Sequence, residues 1–355
     1  MSTLTVTAEQ LTIHPHPNAD VLELAQVGLY RAVVAKGQFA TGDFAVYLPE
    51  ASVLPPELIE ELGLTGKLAG SAKNRVKAVR LRGELSQGIV CRPSALAGTD
   101  LAEASHSGRD FAADLGIVKW VPPVPVHMAG EIIPAADLLP WVDIENIKRY
   151  PGIFTPGEPV VATEKIHGTA CLFTRTPDGM LVSSKGQGAR RFALVESESN
   201  LYWRAARAHG LPEAAEAIAG QFGATRVGIF GEVYGKGVQD LSYGTTAPVY
   251  AVFDIAIHAE GAPEPRWLNP AELAKVAADH GLPTAPVLYE GPYDEAALLA
   301  LASGTEVISG TGAHLREGLV VRPATERRSE VLGGRAIGKL VSDAYLTRKG
   351  GTEYE

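Results

Sequence analysis

Cysteine is scarce: only Cys91 and Cys171 occur in 355 residues. Far apart and without a CxxC partner, they supply neither a zinc quartet nor a disulfide framework. Both are expected as buried apolar filler. Long hydrophobic runs are also missing. No stretch approaches the roughly 20 apolar residues that span a bilayer, and Met1–Gln10 lacks a basic start followed by an apolar core. These two absences give the expectation of a cytoplasmic protein. Positive charge is not in excess either, since the net charge is -9, which argues against a chain that coats nucleic acid indiscriminately. No repeat or low-complexity segment is present. What remains is a globular chain with 46% hydrophobic residues, long enough for two domains.

The charge is unevenly spread. Between Lys67 and Arg82 lie six basic residues (Lys67, Lys73, Arg75, Lys77, Arg80 and Arg82) and no acidic one. In an extended strand Lys73, Arg75 and Lys77 share one face, a cationic stripe suited to phosphates or a solvated edge guarded by lysines. Short β-rich runs surround it: Val21 to Val27, Tyr30 to Ala35, Asp43 to Leu48, Val76 to Leu81 and Gly88 to Cys91. Their spacing predicts a small barrel. His16-Pro17-Asn18-Ala19-Asp20, with Leu81-Arg82-Gly83-Glu84-Leu85-Ser86-Gln87-Gly88 further on, resembles the tRNA-binding OB-fold module that accompanies some synthetases. The resemblance implies a nucleic-acid-binding module over 1–120. His14 and His16 alternate with prolines and read as structural. Gly98 to Val142 shows no strong periodicity, and Pro122-Pro123-Val124-Pro125 predicts a stiff spacer, so a linker is expected over 121–142 and a second domain over 143–355.

That second region is organised around Glu164-Lys165-Ile166-His167-Gly168-Thr169. A lysine between strand-like runs, followed by a glycine that admits a ligand, is a candidate nucleophile once deprotonated. Free lysine has a pKa near 10.4, so presenting the neutral amine at pH 7 costs roughly 4 kcal/mol unless nearby cations lower that value. Positive charge is therefore expected beside it. Strands are predicted at Thr169 to Arg175, Met180 to Ser184, Val227 to Phe230, Val249 to Ile257, Glu317 to Pro323 and Ala336 to Val341. Helices are predicted at Leu194 to Ala208, Pro212 to Gln221, Pro270 to Asp279 and Asp294 to Ala302, with a short terminal one capped by Ser342. The fold class is thus α+β, a barrel followed by antiparallel sheets flanked by helices.

Six segments carry the chemistry: Lys165-Ile166-His167-Gly168, Ser184-Lys185-Gly186, Phe230-Gly231-Glu232-Val233-Tyr234-Gly235, Val252-Phe253-Asp254-Ile255, Glu317-Gly318-Leu319-Val320-Val321 and Lys339-Leu340-Val341. Together they resemble the six ordered motifs of covalent nucleotidyltransferases, and Glu164 to Thr169 is most similar to the RNA ligase 2 type. With the OB module in front, the chain resembles a bacterial and protist clade of RNA ligases that repair nicks. The resemblance implies an ATP-dependent ligase joining RNA 3′-OH and 5′-phosphate ends through lysyl-AMP and RNA-adenylate, with Mg²⁺ or Mn²⁺ as cofactor. It assigns Lys165 as nucleophile and His167, Glu232, Glu317 and Lys339 as catalytic. Glu232 and Glu317 would hold the metal, because hard cations prefer oxygen ligands. Glu164, Ile166, Gly168, Lys185 and Phe253 would bind nucleotide, with Phe253 stacked on adenine and Glu164 accepting from its amino group.

Two positions depart from the family pattern, Ala170 and Gly186, so Arg190 and Arg191 are expected to meet the RNA 5′-phosphate instead. Lys339 lacks the second lysine two residues away, which leaves Arg335 as a substitute cation. Three other readings stand beside this one. An ATP-dependent DNA ligase is disfavoured because its OB domain usually follows the last motif. A non-catalytic RNA-binding protein with a degenerate transferase domain would retain no AMP. A Schiff-base lysine enzyme would be trapped by borohydride.

Overall fold

A computed structural model describes residues 3–126 and 128–351. The chain forms two compact units, one made of the residues up to Val121 with Glu145–Pro151, the other of Pro122–Ile144 and the residues from Gly152 onward.

In the first unit, β1 (Thr7–Gln10), β5 (Phe44–Leu48) and β8 (Ile89–Cys91) pair in the order β1-β5-β8. A meander joins β2 (Thr12–Pro15), β3 (Leu22–Val27) and β4 (Tyr30–Ala35), and β6 (Val79–Leu81) forms a hairpin with β7 (Glu84–Ser86). The unbroken apolar run of β5 reflects burial on both faces. Val46 and Leu48 pack with Val6, Leu54 and Phe111, whereas Ala45 and Tyr47 pack with Leu11, Ala25 and Val27. Helix α1 (Leu101–Ser107), absent from the sequence reading, starts at Asp100, whose carboxylate accepts the Ala102 and Glu103 N–H groups. Its Ala104 joins the Val46 cluster.

The cationic stripe needs correction. No regular strand covers Lys73 to Lys77: Lys73 lies in a turn with φ +52°, and Arg75 makes only isolated bridges, to Val53 and Ala69. The Arg75 guanidinium stacks 3.8 Å from the centre of the Trp120 ring. Buried Val76 and Ala78 still alternate with Arg75 and Lys77, but the period-two face does not reach back to Lys73. A further correction concerns Glu145–Pro151, expected in the second domain. Its Arg149 binds Glu9 Oε1 and Thr7 Oγ1, each at 2.5 Å, and so returns to the first unit.

In the second unit, seven strands pair in the order β9-β13-β12-β11-β14-β15-β16: β9 (Ile132–Pro134), β11 (Gly168–Thr176), β12 (Gly179–Ser184), β13 (Phe192–Leu194), β14 (Ala224–Gly235), β15 (Pro248–Ala259) and β16 (Arg266–Trp267). A second sheet sets β10 (Pro159–Lys165) between β17 (Val287–Pro292) and β18 (Gly318–Pro323), with β19 (Gly338–Val341) beyond β18. Helices α2 (Leu201–Ala208), α3 (Leu211–Phe222) and α4 (Pro270–Asp279) bury Tyr202, Ile218 and Val276 with Phe173, Ile229 and Ile255 of the seven-stranded sheet. The helix expected from Leu194 begins at Leu201, because Asn200 caps it and Phe192–Leu194 is drawn into the sheet. Nor is 121–142 a free spacer. β9 pairs with β13, and Leu138 and Leu139 pack under Leu172 and Phe230. Among the described residues, no helix is long and apolar enough to cross a membrane.

The two sheets of this unit are tied by buried charge. Asp254 of β15 binds Arg322 of β18 at 3.1 Å and Arg335 at 2.6 Å, and Arg335 also binds Glu326 and lies 3.9 Å from the Trp267 ring centre. Arg335 is therefore committed to the scaffold, which corrects its expected role as a second reactive cation. Asp254→Ala, which leaves two guanidinium groups without their carboxylate, should destabilise the protein by about 3–5 kcal/mol in urea unfolding, whereas Asp254→Asn should lose less.

Candidate active site

Lys165 ends β10, and the antiparallel register sets it opposite Gly318, the residue after Glu317. The consequence is a direct ion pair, Lys165 Nζ to Glu317 Oε1 at 2.6 Å, with the lysine partly exposed and the carboxylate buried. A Cβ on Gly318 would collide with the Leu340 carbonyl oxygen, so glycine is needed for β18 to lie against β19 there. Gly168 has the same kind of reason. A Cβ on it would collide with the Val233 carbonyl oxygen, so glycine is needed for β11 to lie against β14 there.

Two carboxylates, Glu317 and Glu232, stand close to the lysine. Burial chiefly pushes the Glu232 carboxyl up to about 8, with the Glu317 charge adding to the rise and Lys165 opposing it. Glu232 reaches this place from β14, where it pairs with Ala170 of β11. Glu317 Oε2 is buried without a hydrogen-bond partner among the described residues. Two carboxylates, one with an orphaned oxygen and one protonated more readily than usual, form a donor set that fits a hard divalent cation. Lys339 sits on β19 opposite Val320, whose other neighbour is Thr163. By strand alternation Lys165 and Lys339 thus project from the same face of this sheet, one row apart.

Glu164 lies on the opposite side of its strand, fully buried. Its Oε2 accepts the Val307 N–H at 2.9 Å and lies 3.9 Å from Arg316, while Oε1 has no partner. Burial raises its pKa, against the pull of Val307 and Arg316. Ile166 packs in a cluster with Tyr234, Tyr243 and Ala285, against which Phe253 also rests, partly exposed. Phe253 occupies a bulge of β15: Phe230 pairs with Asp254 and Gly231 with Val252, so Phe253 has no partner of its own and its side chain is re-aimed.

The remaining expected residues are arranged otherwise. Lys185 Nζ binds Asp143 Oδ1 at 2.6 Å. Arg190, exposed, bonds Gln187 at 2.8 Å, and Arg191 Nη1 donates to the Leu138 carbonyl, which anchors that segment. His167, placed by the sequence among the reacting groups, has both ring nitrogens engaged: Nε2 with Asp240 Oδ1 and Nδ1 with the Tyr345 hydroxyl, each at 2.7 Å. That arrangement engages both ring nitrogens with the protein itself, which fits a role in supporting the turn. Sequence reasoning missed Asp240, Tyr243 and Val307, which meet the motifs across 73, 76 and 143 residues with no local signal.

The Glu232 shift has a definite sign. Its folded pKa stands above the ordinary carboxylate range, so the protonated form is favoured and that stability is lost as pH rises from that range through about 8. Metal-free protein should therefore melt earlier with rising pH across this window, and Glu232→Gln should flatten the change in a pH series of thermal melts.

The sequence matches the family model for RNA ligase over residues 158–341, just over half of the chain, and that for an OB-fold domain over residues 5–93. A search of curated proteins returns no match. Among solved structures, a variant of Naegleria gruberi RNA ligase with ATP and Mn is similar at a TM-score of 0.80 and 24% identity, covering 96% of this chain and 98% of that one. The same enzyme with pyrophosphate gives 0.79 at 24% identity, over 97% and 98%, and a variant with AMP and Mn gives 0.79 at 24%, over 96% and 98%. At that identity the likeness shows a shared fold, an OB-type region followed by an α+β transferase unit. With the family model spanning every motif from Glu164 to Val341, the chain belongs to the RNA ligase family.

Proposed function

We propose that this protein is an ATP-dependent RNA ligase of the cytoplasm that seals 3′-OH and 5′-phosphate ends, most often at nicks in duplex RNA. The observation that carries the reading is the Lys165 amine held at 2.6 Å by a buried carboxylate whose other oxygen has no partner. Lys165 attacks the α-phosphorus of ATP, forming an N–P bond and releasing pyrophosphate. The AMP passes to the RNA 5′-phosphate oxygen, which restores the lysine. The 3′-hydroxyl then attacks the activated phosphorus and AMP leaves. Each step is an in-line transfer that depends on position and charge neutralisation more than on covalent help.

Glu317 and Glu232 would hold a divalent cation, Mg²⁺ or Mn²⁺, and when bound it supplies positive charge that neutralises phosphate oxygens and favours the neutral lysine. Lys339 meets the same phosphates from the neighbouring row of the sheet. Glu164 Oε1, buried and unpartnered, accepts from the adenine amino group, and Phe253 supplies a face for the ring. Lys185 begins the short helix after β12 and meets the nucleotide phosphates, while Arg190 and Arg191 just beyond it meet the RNA 5′-phosphate. In the first unit Lys73 and Lys77 contact RNA phosphates, with Arg75 steadied by Trp120.

Lys165→Ala and Lys165→Arg should both abolish covalent labelling by ATP carrying a labelled α-phosphate, since arginine stays protonated far above working pH. Full labelling of either variant places the nucleophile elsewhere. A wild-type protein that binds RNA but retains no AMP supports the non-catalytic reading, and preference for a nicked DNA duplex over RNA supports a DNA ligase. Replacing Lys73 and Lys77 together by Gln should flatten the salt dependence of RNA binding, because fewer phosphate contacts release fewer counterions. An unchanged slope assigns those lysines to a solvated edge.

A further inference from the structure

The turn that carries Lys165 is fastened on its far side by groups outside the six motifs. The His167 N–H donates to the Tyr243 hydroxyl at 2.8 Å, and Gln239 donates to the Gly168 carbonyl. The His167 ring lies between two further elements. On one side the Tyr345 hydroxyl, from helix α5 (Asp343–Leu346), meets Nδ1 at 2.7 Å. On the other, Asp240 Oδ1 meets Nε2 at 2.7 Å. Arg348 completes the group. Its guanidinium lies 3.7 Å from the centre of the Tyr345 ring and donates to both Asp240 oxygens at 3.3 Å. His167 and Tyr345 are only 4% and 5% exposed, so water does not compete for these bonds.

Burial holds the His167 pKa below its ordinary value, against Glu317 and Asp240, and the ring is neutral at neutral pH. With one ring proton, Nε2–H donates to the Asp240 carboxylate, which leaves Nδ1 to accept from Tyr345. The proton order runs one way, from Tyr345 through His167 to Asp240, with Arg348 neutralising the end. Each bond fixes the next, so the ring has one orientation rather than two.

We propose that Tyr345, Asp240 and Arg348 form a brace that acts through His167 to hold the Lys165 turn in the geometry of attack, which makes them positioning residues for lysine adenylylation. This rests on the ligase reading and adds to it that helix α5, beyond the last motif, controls the first chemical step. The brace meets the turn between β10 and β11 through His167, and the Tyr345 ring shares an apolar cluster with Ile166, against which Phe253 rests. A change that removes only the Tyr345 hydroxyl keeps that packing, and so bears on the rate of attack more than on the binding of nucleotide. Sealing of a nick that already carries AMP needs no lysine attack, and so does not draw on it.

The test uses full-length protein in single-turnover assays. Tyr345→Phe keeps the ring and removes one hydroxyl. It should slow lysyl-AMP formation at saturating ATP by about tenfold, the scale expected when an attacking group is misplaced by a fraction of an ångström. The ATP concentration for half-maximal rate and the sealing rate of pre-adenylylated RNA should stay within about twofold of wild type. Asp240→Asn, at a partly exposed position, should repeat the pattern if Tyr345→Phe melts early. The double variant should be no slower than the slower single one, because both act through one ring. Wild-type lysyl-AMP formation in both single variants overturns the brace, as does an equal loss in lysine adenylylation and in sealing of pre-adenylylated RNA. A wild-type protein that forms no lysyl-AMP at all is a failure of the ligase reading itself and is seen before any variant is made.

Discussion

The ion pair between Lys165 and Glu317 depends on strand register more than on attraction. β10 and β18 run antiparallel with Lys165 opposite Gly318, so a slip by one residue would send the lysine to the other side of the sheet and separate the pair. Gly318 lets β19 come close, and Gly168 does the same for β11 against β14. These two contacts fix the spacing of the strands from which Lys165, Glu317, Glu232 and Lys339 project. The site is thus a product of two sheets meeting, and the Asp254–Arg322–Arg335 network holds those sheets together behind Phe253.

Electrostatically, the metal-free site is the reverse of what a nucleophilic lysine needs. A carboxylate at 2.6 Å stabilises the ammonium form, and a neighbouring carboxyl with a pKa near 8 shows that this pocket tolerates little further negative charge. Both features point the same way. A divalent cation would claim the Glu317 carboxylate, remove the partner that keeps the lysine charged and draw the proton from Glu232. On the proposed reading, the Lys165 amine would be released from this pair only when cation and phosphates are present.

Much of this was legible in the sequence, for identifiable reasons. Strand ends with glycine-flanked charges were readable because such residues have no packing role; Lys165 and Glu317 form an ion pair, and Glu232 feels the charge of both. The helix start at Asn269 follows from local chemistry, since Asn269 makes a capping box with Glu272, whereas Ser342 stands at the N-cap of α5 without a side-chain cap bond. Long-range partners were not readable. Asp240 and Tyr345 carry no pattern of their own, and nothing near Arg191 or Arg335 announces that a carbonyl or a buried aspartate will occupy them. The Lys73 to Lys77 stripe failed for a different reason. Alternation of charge with apolar residues survives in irregular extended chain, so it marks burial of Val76 and Ala78 without guaranteeing a strand.

The same distinction separates what is rigid in the site from what is free to change. Backbone atoms of the Lys165 turn are held by Tyr243 and Gln239, and its histidine by Asp240 and Tyr345, all through hydrogen bonds. The lysine side chain itself is tied by a pair that a cation would break. On the proposed reading, in which the lysine attacks, carries AMP and leaves again, it needs freedom in its last few bonds and none in its backbone. Placing directional hydrogen bonds on the turn and an exchangeable ion pair on the amine provides both, because an arriving cation competes for the carboxylate paired with the amine, whereas the turn is held by the neutral Tyr243, Gln239 and Tyr345 and by an Asp240 already paired with Arg348.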